Sequence, residues 1–241
     1  MSASAPKLVL LAGMNCTADL WAEAGFDTED GGAIQPQLDR PSLRTQVDSL
    51  LAEMPAQSVI VGHSLGGIVG MALALAAPHR VAGLCLVSTN AKAPTDAQRG
   101  GWRNWLAALD AGASARALQQ SILEPLLGGR LAAERPDLVE RALRMGDETG
   151  DDLLRRQLQL QLTRVDLLSR LSSLRMPTLV VSGLDDVICP PHFHTEIVTE
   201  IDGARLVSLD AGHLLPLERP REFGDLVRSW CAQRVRPAAV A

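Results

Sequence analysis

Apolar residues along this chain fall into two kinds of run, and the two kinds alternate. Leu8-Val9-Leu10-Leu11, Val59-Ile60-Val61, Val81–Val87, Thr178-Leu179-Val180-Val181 and Leu206-Val207-Ser208-Leu209 are short, nearly unbroken and rich in β-branched residues. Strands covered on both faces need such continuity rather than strict alternation. Between them the spacing changes to the helical period. Leu43, Val47, Leu50 and Leu51 share one face of a helix over residues 42–54, which Pro55 stops. A second helix covers residues 65–77 and is closed by Pro78; a last one runs from about Arg219 past Trp230, with Phe223, Leu226, Val227 and Trp230 as its buried stripe. Residues 25–41 contain Gly25, Gly31, Gly32, Pro36 and Pro41 and read as loop with room for one short strand. This alternation predicts an α/β fold, a doubly wound and mostly parallel sheet with helices on both faces.

One stretch breaks the alternation. Residues 92–174 hold no strand-like run. Trp102, Trp105, Leu106 and Leu109 fall at i, i+3, i+4 and i+7, and Leu154, Leu158, Leu162 and Val165 repeat the pattern. Pro125, Gly128, Gly129, Pro136, Gly146 and Gly150 punctuate the segment. A helical insertion between two strands is either a lid over the sheet's carboxyl edge or a satellite bundle. Ligand clefts in open parallel sheets lie at that edge, so the lid is the better reading. The expected organisation is one core domain of residues 1–91 and 175–241 with residues 92–174 as its helical lid.

Composition narrows the function. At 241 residues and 46% apolar content the chain can bury one substantial core. A net charge of −5 without a basic cluster argues against nucleic-acid and anionic-membrane partners. Cys16, Cys85, Cys189 and Cys231 are scattered without C-x-x-C pairing, which suits reduced thiols and a cytoplasmic protein. The apolar stretch after Lys7 is too short for a secretory core and lacks a small-residue cleavage pattern, and nothing approaches a membrane span. His192 and His194 resemble a metal pair, but on the helix that Pro190-Pro191 suggests they would not share a face. No metal and no cofactor are expected. Cys189 reads as a small buried residue near any pocket, His79 as a solvated turn residue, and His63 as a residue that packs or hydrogen bonds locally.

The candidate chemistry starts at Gly62-His63-Ser64-Leu65-Gly66, a G-x-S-x-G between a β-branched run and a small-residue helix. Such a turn lifts a serine hydroxyl above the end of a sheet. The bland alternative is a serine that caps the helix in a glycine-rich loop. Two later strand ends add weight. One reads Gly183-Leu184-Asp185-Asp186-Val187-Ile188-Cys189-Pro190, and the other reads Asp210-Ala211-Gly212-His213. Serine at its ordinary pKa is a poor nucleophile; an imidazole must take its proton, and a carboxylate must orient that imidazole. Ser64, an acid, then His213 is the chain order expected around a hydrolase elbow.

On these residues the chain resembles the α/β-hydrolase superfamily over nearly its whole length. The resemblance implies Ser64 as nucleophile and His213 as base. Gly183 and Pro190 frame Asp186, rather than Asp185, as the acid of G-x-x-D-x-x-x-P. It also implies an oxyanion hole from the backbone NH of Leu65 and, from the loop after the first strand, of Met14. That loop often begins His-Gly in the family and here reads Ala12-Gly13-Met14-Asn15-Cys16. The opening loop from Leu10 to Trp21, and Arg164-Val165-Asp166 at the lid's end, are similar to small bacterial esterases and enol-lactonases. The absence of tyrosine argues against epoxide-hydrolase chemistry, and a serine at the elbow argues against dehalogenase chemistry.

The implied activity is cofactor-free hydrolysis of a small apolar carboxylic ester or lactone through an acyl-enzyme. Thioesterase, C–C hydrolase, lyase or acyltransferase chemistry on the same three residues stays open, as does a non-catalytic binding protein. Of seven aromatics in the chain (four Trp, three Phe), Trp102 and Trp105 lie three residues apart in the lid. Trp102 or Trp105 is expected to help wall an apolar pocket over Ser64; the alternative is that both only anchor the lid's own packing.

Overall fold

A computed structural model describes residues 6–26 and 31–235. Its strands are β1 (Lys7–Leu11), β2 (Ala33–Ile34), β3 (Ser58–His63), β4 (Val81–Val87), β5 (Thr178–Gly183) and β6 (Arg205–Leu209). They form one sheet in the order β2-β1-β3-β4-β5-β6, and every pairing is parallel. The two-residue β2 is the short strand that the 25–41 loop leaves room for. Every residue of β3 and β5 is buried, as their unbroken apolar runs require.

Alternate residues of each strand feed alternate faces. Val9, Leu11, Ile60, Leu84, Leu86 and Val180 join one core, packed by α1 (Leu43–Glu53), α2 (Leu65–Ala76) and a helix after β5. Leu10, Val59, Val61, Cys85, Leu179 and Val181 join the other, where Trp21 stacks on Phe223 with ring centroids 6.0 Å apart.

Between β4 and β5 the chain is helical: α3 (Asp96–Asp110), α4 (Ala115–Gln120), α5 (Leu123–Leu127), α6 (Gly129–Glu134) and α7 (Pro136–Leu162). After β5 come α8 (Pro191–Glu200), then α9 (Leu215–Glu218) and α10 (Pro220–Arg234) beyond β6. The insertion is not one body resting on the sheet. Leu126, Leu127, Leu138, Ala142 and Met145 belong to the second core, whereas Leu109, Ala115, Leu118, Leu154 and Leu158 form a separate cluster. The change of allegiance falls at Gly150, whose φ of 69° and ψ of 166° break α7 into two segments.

One expectation fails here. Val165 does not continue the helical stripe of Leu154, Leu158 and Leu162; it lies beyond α7 and is 51% exposed. Thr163 ends the helix instead, its hydroxyl donating to the Leu160 carbonyl and accepting from the Leu43 amide. Among the described residues, no helix is long and apolar enough to cross a membrane.

Candidate active site

β3 passes into α2 through Ser64, whose φ of 50° and ψ of −115° lie in a sparsely populated region for a residue with a side chain. The surroundings force this turn. A Cβ on Gly66 would collide with the Leu11 carbonyl of β1, and one on Gly62 would sit 2.5 Å from the Gly66 carbonyl oxygen. Only glycines let two strand ends and a helix start meet so closely. Ser64 stands at the N-cap position of α2, yet its side chain makes no capping bond. Its Oγ lies 3.1 Å from His213 Nε2 instead. The hydroxyl faces the histidine.

His213 follows β6 and Asp186 follows β5, so neighbouring strand ends bring them together. His213 Nδ1 is 3.0 Å and 2.9 Å from the two Asp186 carboxylate oxygens. A carboxylate there favours the proton on Nδ1, which leaves Nε2 to accept from Ser64. Burial alone would raise the Asp186 carboxyl. The charge and hydrogen bond of His213, with the Cys189 amide, prevail and hold it below the ordinary carboxylate value. Asp186 Oδ1 also accepts from the amides of Ile188 at 2.9 Å and Cys189 at 2.8 Å. Asp185 is exposed and offers its backbone NH to the Ala211 carbonyl. The adjacent carboxylates thus occupy different surroundings.

His63 has a partner far along the chain. Its Nε2 donates to the His213 carbonyl at 2.8 Å, 150 residues away in sequence, while its ring packs edge-on against Trp21 with centroids 6.4 Å apart; the packing is as expected and the hydrogen bond is not a local one. Burial, then the neighbouring His213, lowers His63 to about 3. Glu218 supports the same turn, accepting from the Gly212 amide at 2.7 Å, and burial pushes its carboxyl up to about 7.

The amides expected to bind an oxyanion are unengaged. Leu65 is the first residue of α2 and has no acceptor within the helix, and the Met14 amide makes no hydrogen bond among the described residues. Sequence reasoning missed what shapes the Met14 loop. Asn15, at φ 58°, donates its amide to Gln157 Oε1 at 2.8 Å and its Nδ2 to the Ala115 carbonyl and Gln119 Oε1, each at 3.0 Å. Asparagine tolerates this conformation, and the three bonds clamp the loop to α4 and α7. The available signal was buried glutamines on otherwise apolar helix faces, legible only once the faces are known.

Ser64 and His213 open into a cavity of about 310 Å³ whose wall includes Met14, Trp102, Trp105 and Cys189. Both tryptophans also pack on the insertion's own cluster, so they wall the cavity and anchor the helices at once. Burial pushes the Cys189 thiol up to about 12, which suits an apolar filler. His192 is exposed while His194 is buried, on another face of α8. His194 meets Ser182 Oγ at 2.9 Å through Nδ1 and accepts the Thr89 amide at 3.0 Å through Nε2; burial lowers it to about 4. Among the described residues, no three His, Cys, Asp or Glu side chains are arranged to hold a metal ion.

Residues 13–226 match the alpha/beta hydrolase family. The chain belongs to it. A pimeloyl-[acyl-carrier protein] methyl ester esterase of Aromatoleum aromaticum is 29% identical over 249 residues, covering 92% of this chain and 96% of that relative. A protein from Azorhizobium caulinodans named for carbamate hydrolysis is 29% identical over 177 residues; the match covers 72% of this chain and 66% of that one. Among solved structures, a thermophilic esterase from Thermogutta terrifontis superposes with a TM-score of 0.85 at 22% identity, covering 98% of this chain and 92% of its own. The enol-lactonase of Burkholderia xenovorans LB400 gives 0.81 at 21%, covering 95% and 92%. At these identities the structural likeness shows the fold, which the alpha/beta hydrolase family shares.

Proposed function

We propose that this alpha/beta hydrolase cleaves a small carboxylic ester or lactone through an acyl-enzyme on Ser64. The observation that carries the reading is the chain from Ser64 Oγ to His213 Nε2 at 3.1 Å and from His213 Nδ1 to Asp186 at 2.9 Å, opening into one cavity. His213 takes the proton as Ser64 Oγ attacks the carbonyl carbon. Asp186 stabilises the imidazolium, and the Leu65 and Met14 amides receive the oxyanion. Collapse of the tetrahedral species expels the alcohol, which takes the proton from His213. Water, deprotonated by the same imidazole, then releases the acid. Residues 92–174 act as the lid, with Trp102 and Trp105 as the apolar wall that keeps bulk water away.

The names of the relatives support hydrolysis of an acyl bond: one is a methyl ester esterase, one a carbamate hydrolase, one an enol-lactonase. The purified protein is to be assayed against matched small esters, lactones, thioesters and carbamates. Esters or lactones are expected to give the highest kcat/KM. A thioester or carbamate preferred by about tenfold or more would replace the substrate class. Ligand binding without turnover of any of them would replace the enzyme reading with that of a binding protein.

A further inference from the structure

Arg164 is the one strongly charged side chain among the residues lining the Ser64 cavity, and it is 4% exposed. Its hydrogen-bond partners are neutral. Nη1 donates to Gln161 Oε1 at 3.0 Å, and Nη2 donates to Asn90 Oδ1 and to the Lys92 carbonyl, each at 2.9 Å. Its Nε is buried without a partner, and no carboxylate among the described residues pairs with the guanidinium. Asp166, the acid of the R-x-D sequence, instead accepts from the Leu168 amide and is exposed. Trp102 lies beneath the guanidinium, 5.7 Å from ring centroid to Cζ.

A buried charge is expensive to keep unless an opposite charge completes it. A clip between Asn90 and Gln161 needs only donors, and a neutral side chain could supply them. The guanidinium adds a fixed positive charge to the cavity wall, which suits the oxygens of a carboxylate. Desolvation, which lowers Arg164 to about 10, is the strain that such an anion would relieve.

We propose that Arg164 is the anion subsite of this cavity and that the substrate carries a carboxylate besides its scissile ester or lactone bond. The inference rests on the ester-hydrolase reading of Ser64 and refines its substrate class. Cation and nucleophile share one wall-to-wall cavity of about 310 Å³, so charged group and reacting carbonyl belong to one small molecule. The Trp102 face lies under the guanidinium, and Gln161 and Asn90 fix its rotation.

The test compares monomethyl adipate with its uncharged counterpart methyl hexanoate. The wild-type protein should favour the half-ester by about tenfold or more in kcat/KM, as charge-assisted bonds in a dry site allow. In Arg164→Gln the ratio should collapse toward one, chiefly through KM, and Arg164→Lys should fall between. A wild-type ratio near one, or an unchanged ratio in Arg164→Gln, would overturn the subsite. Because Arg164 also ties α7 to the loop after β4, a readout that needs no variant accompanies the kinetics. Calorimetry on wild-type protein should detect adipate dianion and not neutral adipamide; equal binding of the two overturns the proposal. Adipate binding with neither ester turned over keeps the subsite and removes the esterase reading. Turnover of methyl hexanoate with no preference for charge does the reverse.

Discussion

His63, the residue immediately before the elbow serine, donates from Nε2 to the backbone carbonyl of His213 at 2.8 Å. The His213 amide is taken by the Leu126 carbonyl at 3.1 Å, so both polar backbone groups of the histidine are held. The ring is thereby aimed between Ser64 and Asp186 by its main chain as well as by its own hydrogen bonds. The His63 ring occupies the space that Gly13 leaves open, where a Cβ would lie 2.6 Å from Nδ1. His63→Ala should lower kcat by roughly 10- to 100-fold through misplacement of the base. It should also cost about 1–3 kcal/mol of stability from the unpaired carbonyl. Steady-state kinetics with urea unfolding separates the two effects. An unchanged kcat would show that His63 only fills space.

Asp186→Asn should cost on the order of 10⁴ in turnover, because an amide cannot hold the imidazole in its productive tautomer. Asp185→Asn, at an exposed position, should change turnover and stability little. Rates of the two variants under identical conditions decide it. The reverse ranking would mean that the carboxylate bonded to His213 is not the acid of the reaction.

Stability should depend on pH with a sign set by three buried groups. His63 and His194 have ordinary values of 6.5 lowered to about 3 and about 4, so below 6.5 the unfolded chain takes protons the folded chain refuses. Their contribution is present above 6.5 and is lost as pH falls. Glu218, ordinarily at 4.5 and raised to about 7, acts in the opposite sense and loses its contribution as pH rises through that range. Between 4.5 and 6.5, two histidine protons oppose one from glutamate, leaving a net loss of roughly 1.4 kcal/mol per pH unit on acidification. Glu218→Gln removes the offset and should about double that slope. Urea unfolding at half-unit intervals from pH 5 to 7.5 measures both. A flat profile in the wild type would contradict the burial of neutral imidazoles.

Trp102 and Trp105 are half-buried, facing the cavity while resting on the cluster of Leu109, Leu118 and Leu158. Truncating either to Ala should therefore do two things. Acyl-chain preference should shift, and stability should fall by about 1–3 kcal/mol, less than the 3–5 kcal/mol typical of a fully buried indole. Chain-length profiles and melting curves on the same preparations test this. Loss of stability with an unaltered profile would assign both rings to packing alone.

Strands β3, β4 and β5 are legible because burial on both faces demands unbroken β-branched runs such as Val59-Ile60-Val61. The elbow is legible for a related reason: Gly62 and Gly66 cannot be replaced where β1, β3 and α2 meet. Asp186 and His213 are found through their place after strand ends. Long-range polar pairing is not legible. The contact of His63 with His213 spans 150 residues, and the clamp of Asn15 on Gln119 and Gln157 spans more than a hundred. Arg164 looks in sequence like half of an Arg–Asp motif, whereas Asp166 turns away to cap the following turn. Val165 fits a helical period that Thr163 has already ended.

The central claim, that Ser64 is the nucleophile, is tested most directly by intact-mass analysis after treatment with a fluorophosphonate. Wild-type protein should gain a single adduct that peptide mapping places on Ser64, with loss of ester turnover in step. Ser64→Ala protein should gain none, and its turnover should be lower by about 10⁴- to 10⁶-fold with the fold intact by circular dichroism. An adduct on another residue, or a Ser64→Ala variant that keeps about a tenth of the wild-type rate, would contradict it, since a lost nucleophile costs far more than tenfold.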